Sequence, residues 1–146
     1  MFLGEFEYKI DEKGRVPVPP KFRAELKPGV VLTAGPEKCI VAYSASQWSK
    51  VAASLTSSTM PASKARRLNR AFFASAFSLQ IDGQGRIALP VPLREHAGIQ
   101  DEVIIAGANA YLEIWSKNEW GVEKETAQEQ AYQIIESMSD VKPVIK

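Results

Sequence analysis

The feature that most constrains this chain is an internal duplication. Asp11-Glu12-Lys13-Gly14-Arg15 returns as Asp82-Gly83-Gln84-Gly85-Arg86, an offset of 71 positions. The flanks repeat in register: Ile10 with Ile81, Val16 with Ile87, Val18 with Leu89, Pro19 with Pro90, Phe22 with Leu93 and Arg23 with Arg94. After a one-residue slip, Val31-Leu32 matches Val103-Ile104, Tyr43-Ser44 matches Trp115-Ser116, and Trp48 matches Trp120. A repeated supersecondary unit of this size cannot bury its apolar face alone, so the two copies are expected to pack on each other.

Within each unit, Asp at the first turn position and Gly three residues on match a type I turn followed by a glycine at positive φ. Phe6, Tyr8 and Ile10 alternate before the turn, and Val16 and Val18 after it, which reads as a β-hairpin over 5–10 and 15–18. An Arg stands just past each tip, four positions from an Asp able to orient it. One such turn is an ordinary solvated ion pair. Folding uses the Asp and the Gly but has no need of Arg at both tips, so the repetition points to a role for Arg15 and Arg86.

The pattern D-x-K/Q-G-R-[VI]-x-[VL]-P followed by F/L-R, present twice between Met1 and about Trp120, resembles the MraZ family of bacterial transcriptional regulators, related to AbrB and MazE DNA-binding domains. The resemblance implies an α+β fold: a strand-rich, AbrB-like swapped-hairpin barrel, formed as a pseudo-dimer from the two repeats with flanking helices. It also implies binding to repeated boxes in promoter double-stranded DNA, control (usually repression) of the division and cell-wall operon, and a ring-shaped homo-oligomer. Arg15 and Arg86 then read bases, since the planar guanidinium fork can bond guanine O6 and N7 together. Lys13 and Gln84 contact DNA from the same tips. Asp11, Gly14, Asp82 and Gly85 shape the turns and orient the arginines. Gly83 departs from the family's frequent charged residue and leaves the second tip less positive. Arg23 and Arg94 fit the family pattern, and intramolecular ion pairing explains them equally well.

Net charge is only +1, but residues 1–73 sum to +6 and the remainder to −5. A basic first part can bind a polyanion locally, or merely govern solubility and subunit packing. One cysteine, Cys39, fits a reducing cytoplasm, and its alignment with Tyr111 marks it as a buried apolar residue. No signal peptide or membrane span is expected, which fits a cytoplasmic protein, and the DNA binding that the resemblance implies puts the expected location on the nucleoid.

The expected division is repeat 1 over 1–55, a linker with a basic amphipathic helix over 56–76, repeat 2 over 77–121, and an acidic helix and tail over 122–146. The basic helix starts at a capping Ser63 and carries Lys64, Arg66, Arg67 and Arg70 opposite Leu68, Phe72 and Phe73. Ala127, Ala131, Ile134, Ile135 and Met138 form an apolar stripe that needs cover, and 141–146 is read as a flexible end. His96, the one histidine, reads as an ordinary exposed residue. No metal, cofactor or small-molecule substrate motif is present. Two other classes remain: an antitoxin-like module binding a protein through its C-terminal tail, and an enzyme using Asp11 and Asp82 with a metal. Neither accounts for Arg at both tips.

Overall fold

A computed structural model describes residues 1–57 and 59–138. The tail expected at 141–146 lies outside the described residues. Eight strands and five α-helices follow in order: β1 Glu5–Lys9, β2 Arg15–Pro17, α1 Arg23–Leu26, β3 Val30–Ala34, β4 Cys39–Ser44, α2 Ala45–Thr56, α3 Ala62–Leu68, β5 Phe77–Leu79, β6 Arg86–Ala88, α4 Val91–Ala97, β7 Glu102–Gly107, β8 Leu112–Ser116 and α5 Lys117–Glu136.

The arms of each expected hairpin do not pair with one another. β1 pairs with β7 of the other repeat, β5 pairs with β3, and β2 pairs with β6, all antiparallel. The resulting sheet has the order β1-β7-β8-β4-β3-β5, and β2-β6 forms a separate two-stranded ribbon. The order is pseudo-symmetric about the β8–β4 pair, where Ile40 meets Ile114. Each repeat therefore lends its hairpin to the other, which is the swapped, pseudo-dimeric arrangement.

Packing explains why the arms separate. A two-stranded ribbon is marginal by itself. Here its inner residues Val16 and Ile87, and the following Val18 and Leu89, are at most 3% exposed. They close over Val30, Leu32, Ile40, Val103, Ile105 and Ile114 of the sheet in one core. Burying an aliphatic side chain of this kind contributes roughly 1.5–3 kcal/mol, so four of them outweigh anything the exposed turns supply. Pro17 lacks a donor and sits where the ribbon has only one neighbour, against Arg86. Phe22 and Leu26 face the core as expected.

Helices cover much of the sheet's other face, so the central strands are buried almost continuously while β1 alternates. Ser44 caps α2 by accepting from Gln47 N–H, and Ser116 caps α5 by accepting from Glu119 N–H, both at 3.2 Å. α5 runs unbroken through Trp120 and the acidic stretch, tied to β1 by Lys124–Glu5 and Lys117–Glu7 at 3.0 Å. The N-cap of α3 is Pro61, not Ser63. α3 continues into a π-helical turn, Asn69–Phe73, whose Phe72 stacks on Trp48 of α2 at 5.3 Å. Cys39 lies fully buried with Val41 and Trp115 in a second cluster.

Because the arms pair across repeats, residues 1–57 expressed alone should lack a partner for β1. The expected result is an unfolded chain or a self-swapped dimer by circular dichroism and size-exclusion chromatography. A folded monomer would contradict the pairing. Ile87→Ala in the full chain should cost about 2–5 kcal/mol in urea unfolding.

Candidate nucleic-acid interface

Both turns close in the same way. Gly14 N–H donates to Asp11 O and Gly85 N–H to Asp82 O, each at 3.0 Å. The last glycine of each turn has positive φ, 77° at Gly14 and 78° at Gly85. Asp11 Oδ1 accepts from the backbone N–H of Lys13 at 2.9 Å and of Arg15 at 2.8 Å, while Oδ2 accepts from Arg15 Nε at 2.8 Å. Asp82 accepts from Gln84 N–H, Arg86 N–H and Arg86 Nε, all at 2.9 Å. Each aspartate thus uses both oxygens to build its turn and to fix its arginine, which accounts for the residue without a metal. The Nε of each guanidinium is held by its own turn's aspartate.

The swap brings the two arginines together. Arg15 stands opposite Ala88, and Arg86 opposite Pro17, on the ribbon face away from Val16 and Ile87. Arg86 Nη1 comes within 3.9 Å of Asp11 Oδ2, linking the two tips. The arginine side chains are 29% and 26% exposed, so they are partly ordered by their surroundings and still reachable.

Arg23 and Arg94 have a role that sequence reasoning missed. Arg23 Nε donates to Val18 O at 3.0 Å and Arg94 Nε to Leu89 O at 2.9 Å. Each guanidinium also lies against the turn glycine of the other repeat. A Cβ at Gly14 would meet Arg94 Cζ at 2.9 Å, and one at Gly85 would collide with Arg23. These arginines brace the tips across the swap, and among the described residues neither makes an ion pair. The sequence signal was their recurrence in register. His96 also does more than expected: its Nε2 lies 3.0 Å from Gly35 O and 2.9 Å from Glu37 O, joining α4 to the β3–β4 turn.

The basic side chains Lys64, Arg66, Arg67 and Arg70 are exposed. They stand on the helical segment that packs against α2, not on the ribbon. Cys39 is fully buried, and that burial, reinforced by the Glu113 carboxylate, pushes its thiol up to about 12. Among the described residues no helix is long and apolar enough to cross a membrane, and no cluster of three metal-ligating side chains occurs.

A doubled hairpin unit, interleaved and closed by a two-stranded ribbon, defines an AbrB-like swapped-hairpin protein. A family model described as "MraZ protein, putative antitoxin-like" matches twice, over residues 1–71 and 72–141. A protein named transcriptional regulator MraZ from Dehalococcoides mccartyi is 57% identical over 96% of this chain and 99% of its own length. Proteins with the same name from Halothermothrix orenii and Lactobacillus delbrueckii subsp. bulgaricus are 40% and 37% identical, each over 97% of this chain and 99% of their own length. The chain belongs to the MraZ family.

Two predictions follow from the turn geometry. Gly85→Ala should destabilise by at least about 1 kcal/mol, because a left-handed alanine is strained and its Cβ displaces Arg23. Gly83→Ala should leave stability nearly unchanged, since a Cβ there meets nothing within 4 Å. Paired urea titrations check both. The second concerns acid. Backbone N–H groups, foremost those of Arg15 and Arg86, hold the Asp11 and Asp82 carboxyls below their ordinary value of 3.8. A pKa lowered on folding stabilises above the unfolded value and is lost as pH falls through the folded one. Wild-type stability should therefore drop below about pH 4 by more than that of Asp11→Asn/Asp82→Asn, measured by thermal melts across pH 2–6.

Proposed function

We propose that this protein regulates transcription by sequence-specific binding of double-stranded promoter DNA, with the β2-β6 ribbon entering the major groove. A groove of that width admits a two-stranded ribbon. The observation that carries this reading is the pair of aspartate-oriented arginines on one outward ribbon face. Arg15 and Arg86 read guanines, Lys13 and Gln84 contact the duplex from the turn tips, and Asp11 and Asp82 with Gly14 and Gly85 hold the geometry. The family resemblance extends the reading to the operon for division and cell-wall synthesis, with repression as the usual sign. A promoter-binding role carries with it residence on the nucleoid in the cytoplasm.

One protomer offers a small footprint, and specific DNA modules need a sizeable interface. The ring-shaped homo-oligomer that the family resemblance implies would present several tips to several direct boxes, later contacts being effectively intramolecular. The C-terminal stripe supports assembly: Ile134 of α5 is 57% exposed and Met138, just past the helix end, 42%, whereas Ala131 and Ile135 are half-buried, so part of the stripe is uncovered in a single chain. That stripe also supports the second reading, an antitoxin-like module that binds another protein through its C-terminal segment.

The test is titration of the duplex upstream of the protein's own gene, with one box, several boxes, and boxes shifted by half a helical turn. Arg15→Ala and Arg86→Ala should each weaken specific binding by about 1–3 kcal/mol with the fold kept by circular dichroism. Several in-phase boxes should bind far more tightly than one. Unchanged affinity in the double variant would overturn base reading by these residues. Equal affinity for one box and several would overturn the avidity mechanism.

A further inference from the structure

The tips are related by pseudo-symmetry but differ in charge, and the swap decides which helix faces which turn. Arg23 of α1 lies against the turn of repeat 2, whereas Arg94 of α4 lies against the turn of repeat 1. Between α1 and the second turn is a groove of about 540 Å³, with Arg23, Ala24 and Lys27 on one wall and Ile81 to Gly85 on the other. The variable positions around the first turn are Glu12 and Lys13, with Glu95 and Gly98 at the places equivalent to Ala24 and Lys27. These sum to −1, whereas Gly83, Gln84, Ala24 and Lys27 around the second sum to +1. The tip that looks less positive in sequence is the more positive one in space.

We propose that this groove is a phosphate site, in which Lys27 with Arg23 holds the nucleic-acid backbone beside the second tip. It rests on the DNA-binding reading above and adds a contact from the other repeat. Lys27, the C-cap of α1, follows Arg23 by four residues in helical backbone, so the two like charges share a face and mildly repel, a repulsion that a bound anion would relieve. Lys27 is exposed and has no acidic partner among the described residues. Helix capping does not call for it, because α4 ends at the same place with Gly98 in the left-handed region. Asp82 lines the groove too, but its oxygens are taken up by Arg86 and the turn N–H groups. Gly83 presents an open surface where Glu12 stands in the first turn, and Ala24 removes the carboxylate that Glu95 supplies in α4. Three of the four differences thus favour an anion at the second tip.

The experiment compares wild type, Lys27→Gln and Ala24→Glu on the promoter duplex and on a random-sequence duplex across a salt series, with thermal melts to confirm folding. Both substituted positions are exposed. Lys27→Gln should lower the slope of log affinity against log salt by about 0.9 on both duplexes, with the preference for the promoter retained. Ala24→Glu should weaken both duplexes and leave the fold intact. Specific binding by wild type with an unchanged slope in Lys27→Gln would overturn the phosphate site and leave the promoter reading standing. Random and promoter duplexes bound alike, with a slope that still depends on Lys27, would overturn the promoter reading and support the site. No duplex binding by wild type would overturn both.

Discussion

The burial of the ribbon's inner face is the interaction on which the rest of this structure depends. Val16, Val18, Ile87 and Leu89 come from both repeats and lie in one core with the six-stranded sheet. Remove that anchorage and β2-β6 is a three-pair ladder with two exposed turns, too small to persist. With it, the opposite face is held rigid and carries Arg15 and Arg86. The aspartate–arginine pairs are half-buried and still open to solvent, so the charge attraction itself adds little stability. Their contribution is orientation: two oxygens per aspartate fix both the turn and the direction of the guanidinium.

The swap follows from the same burial. A hairpin folded back on its own repeat would satisfy the alternation of Phe6, Tyr8 and Ile10, but it would leave the sheet's inner face without a lid. Crossing to the other repeat lets β1 extend the sheet beside β7 while β2 closes the core with β6. A chain with both copies in tandem does this intramolecularly. The crossing also sends α1 to the second tip and α4 to the first, so that charges written in one repeat act in the other.

Much of this was legible in the sequence. The recurrence of Asp11–Arg15 at Asp82–Arg86 marked the tips, the glycines marked the turns, and Phe22, Leu26 and Cys39 read correctly as buried. Pairing partners were not legible from alternation, because alternation sets which face of a strand is buried but not which strand lies beside it. The swap came from the family resemblance instead. The bracing role of Arg23 and Arg94 escaped notice for a related reason: each touches a glycine more than sixty residues away in the chain. Phe2 likewise gives no signal at the chain's start, yet it is 1% exposed and packs edge-on to Phe22 at 5.1 Å. Ser63 has the chemistry of a cap for α3 but lies two residues too late, inside a helix whose N-cap is Pro61.

The central claim is that a rigid, two-repeat ribbon aims Arg15 and Arg86 at guanine edges. Guanine methylation interference on the duplex upstream of the protein's own gene tests it most directly, since a methyl group on N7 occupies the acceptor that an arginine fork requires. The account predicts interference at guanines recurring once per box, with separate subsets lost in Arg15→Ala and in Arg86→Ala. Interference confined to phosphate ethylation, with methylated guanines bound as well as unmodified ones, would contradict it.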